Sequence, residues 1–381
     1  MSSGPTEARR LAFLLTQDRG GPVDVTVELA LALSQVPGWT VQVFGPRPAR
    51  GAERIAALHT EVLVEGKGAL DAILRARRQV GAWRPDVVHA QDRRSGLVCA
   101  GAAWGPQRAG RPRAVVHSYH GVPDDVTEPW FRGVGGPPPS RYTRTVLAAD
   151  AVVARTVTRT VVPAASMGRF LQQRLRVPAH RVVHIDNGLP LPPASVPAGP
   201  VRRLLFVGLL VRRKGVHLLL EAMARAALPP DVVLQVAGDG PERADLEATA
   251  SRLGLQGRVT FLGFRTDVPR LLGEADAFVL PSAMEQQPLV LIEALGAGKP
   301  VVATDVGGVA DMVTGAGTVV PPGDVTALAR ALEELTTGDR AVDWGRRAAV
   351  LARERFSVEV ARDAHLALYE DLLANGSGAR A

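Results

Sequence analysis

The chain has 381 residues, 46% of them apolar, which suits two or three domains with buried cores and excludes a largely disordered protein. Its net charge of +7 is almost wholly arginine, since the only lysines are Lys67, Lys214 and Lys299. Arginines dispersed among Ala, Gly, Pro and Val, with no aromatics interleaved in basic runs, argue against a nucleic-acid surface and leave anionic substrates, or peripheral contact with an anionic membrane, as partners for that charge. No stretch approaches the roughly 18 apolar residues of a spanning helix, and MSSGPTEARR lacks the apolar core of a secretory leader. The single Cys99 excludes an internal disulfide framework or a cysteine-based zinc site, so a cytoplasmic protein is expected.

The first half repeats one grammar, a short β-branched run, a turn residue and an Ala/Leu/Arg segment with helical spacing. Strands are predicted at 11–16, 40–44, 61–64, 86–90, 114–118, 151–154 and 181–185. Several are apolar at consecutive positions, as in parallel strands covered by helices on both faces. A long irregular stretch, 121–141, carries Trp130 and Phe131 and is a candidate functional loop. Residues 189–200, LPLPPASVPAGP, hold five prolines and read as a linker between domains.

Beyond it the grammar restarts, with strands predicted at 203–207, 232–237, 259–263, 277–280, 301–304 and 318–320, and helices at 215–227, 241–253 and 326–335. Two successive α/β domains follow, 1–188 and 201–357, with a ligand cleft expected between them beyond the carboxyl ends of the strands. A last helix is predicted over 358–373, with Val360, Ala364, Ala367, Leu368 and Leu372 as its apolar stripe.

Chemistry concentrates in EQQPLVLIEALGAGKPVV, where Pro288 is placed to open a helix running to about Ala297 and stopping at Gly298. Unpaired amides around Gln287 and Leu289, together with the helix dipole, make an anion site. Glu285 precedes that helix and Glu293 lies inside it. Either they accept hydrogen bonds from hydroxyls, or Glu285 caps the helix and Glu293 is a solvated face residue. In FVGLLVRRKG, Arg212, Arg213 and Lys214 either clamp a diphosphate or form a solvated basic loop. VAGDGPE, with Gly238, and the Gly20-Gly21 pair after the first strand are weaker signals of close backbone approach to phosphate. In VVHSYHG, His120 at a strand end is a candidate ligand contact, and His117 reads as a satisfied core residue.

The order FVGLL…KG, AGDGPE, VTFLGF, ADAFVLPS..E..PLVLIEALGAGKPVVATDVGG resembles the nucleotide-sugar domain of the retaining "group 1" (family 4-like) glycosyltransferases of GT-B fold. Glu285 and Glu293, with seven residues between them, match that family's acidic pair. RPDVVHAQD, the His120-Gly121 pair, ADAVVA and VVHIDNG extend the resemblance through the first half. It implies two Rossmann-like domains facing across a cleft, with the helix of about 358–381 crossing back to the first domain, and closure of the cleft on the donor.

The resemblance also implies roles. Glu293 would hold ribose hydroxyls, Glu285 a hydroxyl of the transferred sugar, and the amides of Gln286, Gln287 and Leu289, on either side of Pro288, the sugar and distal phosphate. Lys214 would neutralise the diphosphate, with Arg213 replacing the arginine that the family often carries where this chain has Leu209. Phe264 would border the base, Gly21 the phosphates, and His120 the sugar. The donor would be a UDP-sugar such as UDP-glucose or UDP-GlcNAc, a substrate rather than a cofactor; no metal is expected, and the acceptor would be a small molecule bearing a hydroxyl. A lipid or glycan acceptor, a sugar-nucleotide epimerase or hydrolase, and a non-catalytic binding subunit stay open as alternatives.

Overall fold

Parallel strands buried on both faces carry apolar side chains at consecutive positions, and β1 (Arg9–Leu14), with Leu11, Ala12, Phe13 and Leu14 all buried, is built that way. The computed structural model describes residues 8–64, 70–100 and 112–375. The chain divides into two units, Met1–Leu189 with Val358–Ala381, and Pro190–Ser357.

In the first unit β1 is followed by α1 (Gly21–Ser34), β2 (Trp39–Gly45), β3 (His59–Glu61), α2 (Leu70–Ala82), β4 (Val87–Ala90), α3 (Arg93–Cys99), β5 (Ala114–Ser118), α4 (Glu128–Arg132), α5 (Arg141–Thr156), β6 (Arg159–Val162), α6 (Ala165–Gln173) and β7 (Val182–His184). All pairs are parallel in the order β3-β2-β1-β4-β5-β6-β7. The second unit runs β8 (Arg203–Val207), α7 (Val216–Arg225), β9 (Val233–Ala237), α8 (Arg243–Arg252), β10 (Val259–Gly263), α9 (Val268–Glu274), β11 (Ala277–Leu280), α10 (Leu289–Gly296), β12 (Val301–Thr304), α11 (Val309–Val313), β13 (Gly317–Val320), α12 (Val325–Thr337) and α13 (Ala341–Arg355). Its order is β10-β9-β8-β11-β12-β13, again parallel. The strand order reverses at β1/β4 and at β8/β11. Loops leaving neighbouring strands diverge at such points and open a crevice.

Three expectations are corrected. Residues 151–154, read as a strand, belong to α5, and the strand is β6 instead; Thr143, Leu147, Asp150, Ala151 and Ala154 are buried at helical spacing, which a four-residue window hides. Helix α13 was not anticipated at all. It packs on α10, with Ala348 and Ala352 buried and Trp344 nearly so.

The third correction concerns α14 (Val358–Asn375), which packs on α1 of the first unit. Val360, Ala364 and Ala367 are exposed, and the buried face is Val358, Ala361, His365, Leu368, Tyr369, Leu372 and Leu373. His365 and Tyr369 look polar in sequence yet are buried because their polar atoms are paired. His365 Nδ1 donates to the Ala361 carbonyl at 2.7 Å, and Tyr369 Oη bonds His89 Nδ1 at 2.7 Å. His89 Nε2 in turn meets Ser118 Oγ at 2.8 Å. The chain leaves this unit at Leu189 and returns at Val358, where the Val358 amide donates to the Leu189 carbonyl at 3.0 Å.

The proline-rich segment lies on the second unit. The Ser195 amide donates to the Ala297 carbonyl at 2.9 Å, and the Ser195 carbonyl accepts from the buried Lys299, whose pKa burial lowers to about 8. Among the described residues no helix is long and apolar enough to cross a membrane.

The buried histidines of the first unit predict acid lability. Burial lowers His117 and His365 to about 4 and His89 well below 6.5. The unfolded chain takes up these protons near pH 6.5 and the folded unit not until about pH 4, so their stabilising contribution is full above 6.5 and is lost as pH falls through that window. The first unit's thermal midpoint should therefore drop between pH 6.5 and 4.5; a midpoint that holds or rises would contradict it.

Candidate active site

The reversal at β8/β11 is where the second unit brings Lys214 and Glu285 together. The loop leaving β8 ends at Gly215, which caps α7 with φ +70°, and a Cβ there would sit 2.0 Å from the Pro281 carbonyl oxygen. Only glycine lets the two loops touch at that point. The contact continues as the Ala283 amide donates to the Arg213 carbonyl at 2.7 Å.

That approach brings together two residues 71 positions apart. Lys214 Nζ donates to Glu285 Oε1 in an ion pair whose side chains are 16% and 11% exposed. Ser282 Oγ donates to the same oxygen at 2.8 Å, and the Ser282 carbonyl accepts from Thr304 Oγ1 on β12. Glu285 Oε2 holds no hydrogen bond among the described residues. From the other side Gly307, at φ +52°, leaves no room for a Cβ, which would fall 1.8 Å from the Glu285 carbonyl oxygen. The next amide, Gly308, donates to the Gln286 carbonyl at 2.9 Å. Residues 281–288 are thus clamped from both neighbouring strands. Ser282, Thr304 and Gly307 do this clamping, and none stood out in sequence; Ser282, three residues before Glu285, carried the one local signal.

Within the clamp Gln286 and Gln287 are buried, and Gln286 Oε1 has no hydrogen-bond partner. Pro288 is the residue before the helix rather than its first residue: ψ of 122° keeps it extended, and α10 opens at Leu289 with no side chain capping it. Leu291, Ile292, Ala294 and Leu295 are fully buried, whereas Leu289, Val290 and Glu293 are half-buried and share the remaining face. Glu293 therefore points away from the core, on the side where α10 begins. Its N-terminus directs amides and positive dipole toward the crevice.

Around this centre, Arg213 is exposed beside Lys214, and Gly238 lies against the Gly208 carbonyl while its amide donates to Gly263 at 2.8 Å. Phe264 at the end of β10 is 66% exposed and Leu209 at the end of β8 is 56% exposed.

In the first unit, the corresponding reversal at β1/β4 carries the other candidates. Gly20, at φ +100°, precedes α1, which opens at Gly21 without a side-chain cap. His120 follows β5; its ring Nε2 donates to Gln91 Oε1 at 3.3 Å, and burial and then His117 lower its pKa. It stays neutral at neutral pH. His117 lies inside β5 as a buried core residue, its ring turned to the backbone of Asp92. The two aromatics of the 121–141 stretch both lie on α4. Phe131 is buried, stacked on Phe170 at 4.9 Å, and offers nothing to an acceptor; Trp130 is half-buried beneath Arg174 at 4.5 Å.

Residues 19–191 match the model described as Glycosyltransferase Family 4, and residues 201–337 match the one described as Glycosyl transferases group 1. The chain is related to both glycosyltransferase families, whose models together match most of its length. Two curated glycosyltransferases illustrate the likeness. The lipopolysaccharide core biosynthesis glycosyltransferase LpsE of Rhizobium meliloti is 35% identical over 194 residues, 49% of this chain and 54% of that one. The alpha-D-kanosaminyltransferase of Streptomyces kanamyceticus is 33% identical over 175 residues, 44% and 45% of the two chains. The chain thus spans about half the length of the curated relatives it matches. Among solved glycosyltransferase-like structures, Anabaena HepE in complex with UDP superposes with a TM-score of 0.77 at 20% identity, over 95% of this chain and all of that one, and a complex of it with UDP-glucose superposes with a TM-score of 0.74 at 21% identity, over 96% of this chain and 99% of that one. The shared fold is GT-B.

Proposed function

We propose that this glycosyltransferase moves a sugar from a UDP-sugar, such as UDP-glucose or UDP-GlcNAc, to a hydroxyl of a small molecule with retention of anomeric configuration. The observation that carries the reading is the Lys214–Glu285 pair held at the mouth of the β8/β11 crevice, beside the open N-terminus of α10. As the bond from the anomeric carbon to the diphosphate breaks, negative charge grows on the leaving oxygen. Lys214 and the α10 amides stabilise it without moving, because the loop clamps have already positioned them. Glu285 accepts a sugar hydroxyl, Glu293 the ribose hydroxyls, and Phe264 borders the base. The acceptor oxygen bonds the same face of the anomeric carbon, and its proton passes to the departing phosphate oxygen. In the first unit, Gly20 and Gly21 are proposed to contact phosphate, and neutral His120 a sugar hydroxyl. The UDP-bound HepE supports the nucleotide, and the lipopolysaccharide core glycosyltransferase LpsE makes a glycan the second acceptor to try.

The test is turnover of UDP-glucose and UDP-GlcNAc with a panel of hydroxyl acceptors, read by NMR of the product. Glycoside with the donor's anomeric configuration is expected; free sugar alone, inverted product, or saturable binding without turnover would contradict the reading. Because Lys214 and the α10 dipole supply positive charge, turnover is expected to persist in EDTA, and loss reversed by magnesium or manganese would contradict that part. Glu293→Ala should cost about 1.5–3 kcal/mol in UDP affinity by calorimetry, the value of a charge-assisted hydrogen bond. Unchanged affinity would remove Glu293 from the donor site.

A further inference from the structure

The turn that carries His120 is held by an ion pair between a buried carboxylate and a partly exposed guanidinium, unrelated to the acidic pair of the second unit. Arg93, at the start of α3, donates Nε to both carboxylate oxygens of Asp150 on α5, at 3.0 and 2.9 Å, and the Asp150 side chain is 1% exposed. The same guanidinium donates Nη2 to the Gly121 carbonyl at 3.1 Å. Asp150 Oδ2 also accepts from Tyr119 Oη at 2.8 Å, and Arg93 lies over the Tyr119 ring at 5.9 Å. The residues on either side of His120 are therefore tied to one carboxylate–guanidinium unit, and its ring is tied to the buried Gln91. Arg93 is itself aimed by the turn before it, where Asp92 and Ser95 form a reciprocal cap on α3.

Burying a carboxylate against a guanidinium is a poor way to gain stability, because apolar side chains of similar volume fill the space without desolvating charge. What the pair adds is geometry. A planar guanidinium can meet a carboxylate and a carbonyl at once in fixed directions, which a lysine cannot. We infer that Arg93 and Asp150 are positioning residues that set the orientation of His120 for transfer, a role that rests on the reading of His120 given above.

The experiment compares the full chain with Arg93→Ala, Arg93→Lys and Tyr119→Phe by imidazole 15N spectra, the His120 signal being assigned by its loss in His120→Ala, and by steady-state kinetics with UDP-glucose. Arg93→Ala and Arg93→Lys should shift the His120 resonances and lower kcat by about 10- to 100-fold, the scale for a misplaced catalytic contact, with the donor KM little changed. The Arg93 side chain is 35% exposed, so guanidinium ion in solution, but not sodium, should restore part of the kcat of Arg93→Ala. Tyr119→Phe leaves the ion pair intact, and should give a smaller His120 shift if Arg93→Ala does not fold. Unmoved His120 signals in every folded variant would overturn the inference, as would kcat losses that only track the folded fraction. Absence of turnover in the unaltered chain would overturn the transfer reading instead, while the spectra still decide the positioning of His120.

Discussion

Lys214→Met should lower kcat by about 10²–10³-fold, the loss seen when a pre-oriented group stabilising a developing anion is removed. The side chain is largely buried and already directed by its bond to Glu285, so no reorganisation is needed as charge grows on the diphosphate. Methionine keeps most of the side-chain volume and removes the charge. Glu285 then keeps the Ser282 hydroxyl as its donor, which limits the damage to folding. Pre-steady-state or steady-state release of UDP measures the effect. An unchanged kcat would show that Lys214 serves only to hold Glu285, and the electrostatic account would fail.

Removing residues from Val358 onward should leave the first unit unfolded. Helix α14 supplies Leu368, Tyr369, Leu372 and Leu373 to the core that contains Leu11, Phe13, Leu33 and Trp39. Three buried leucines are worth about 5–9 kcal/mol at about 1.5–3 each, comparable with the whole net stability of a domain at about 5–15. The loss also leaves His89 Nδ1 without Tyr369 Oη, and Arg113 without the Leu373 carbonyl it bonds at 2.6 Å. Tyr369→Phe isolates the polar part and should cost about 1–3 kcal/mol, since it orphans a buried nitrogen. Chemical denaturation followed by Trp39 fluorescence reports on this unit; a truncated chain with an unaltered transition would contradict the packing.

Much of the second unit is legible in sequence because each buried strand is a local run such as AFVL at β11, bounded by turn residues and followed by a helix. The first unit is harder. Its β6 begins with Arg159 and carries Thr160, whereas α5 contains the more strand-like DAVVA. The buried face of α14 is hidden for a related reason, since hydropathy assigns His365 and Tyr369 to the surface and their hydrogen bonds, to a residue four away and to one 280 away, place them inside. At the site, residue types at a fixed spacing drew attention to Glu285, Glu293 and Lys214. The supports could not be found that way. Gly307 matters through a carbonyl 22 residues earlier in the chain, and Arg93 through a carboxylate 57 residues later. Such pairings become visible only when the fold brings the loops together.

Hydrogen exchange of the full chain with and without UDP-glucose tests most directly whether this crevice binds a nucleotide-sugar. Saturating donor is expected to slow exchange at the amides of 208–215 and of 286–293, where the loop after β8 and the start of α10 meet the ligand. Saturable binding that leaves both segments unprotected, or no binding of any nucleoside-diphosphate sugar, would contradict the account.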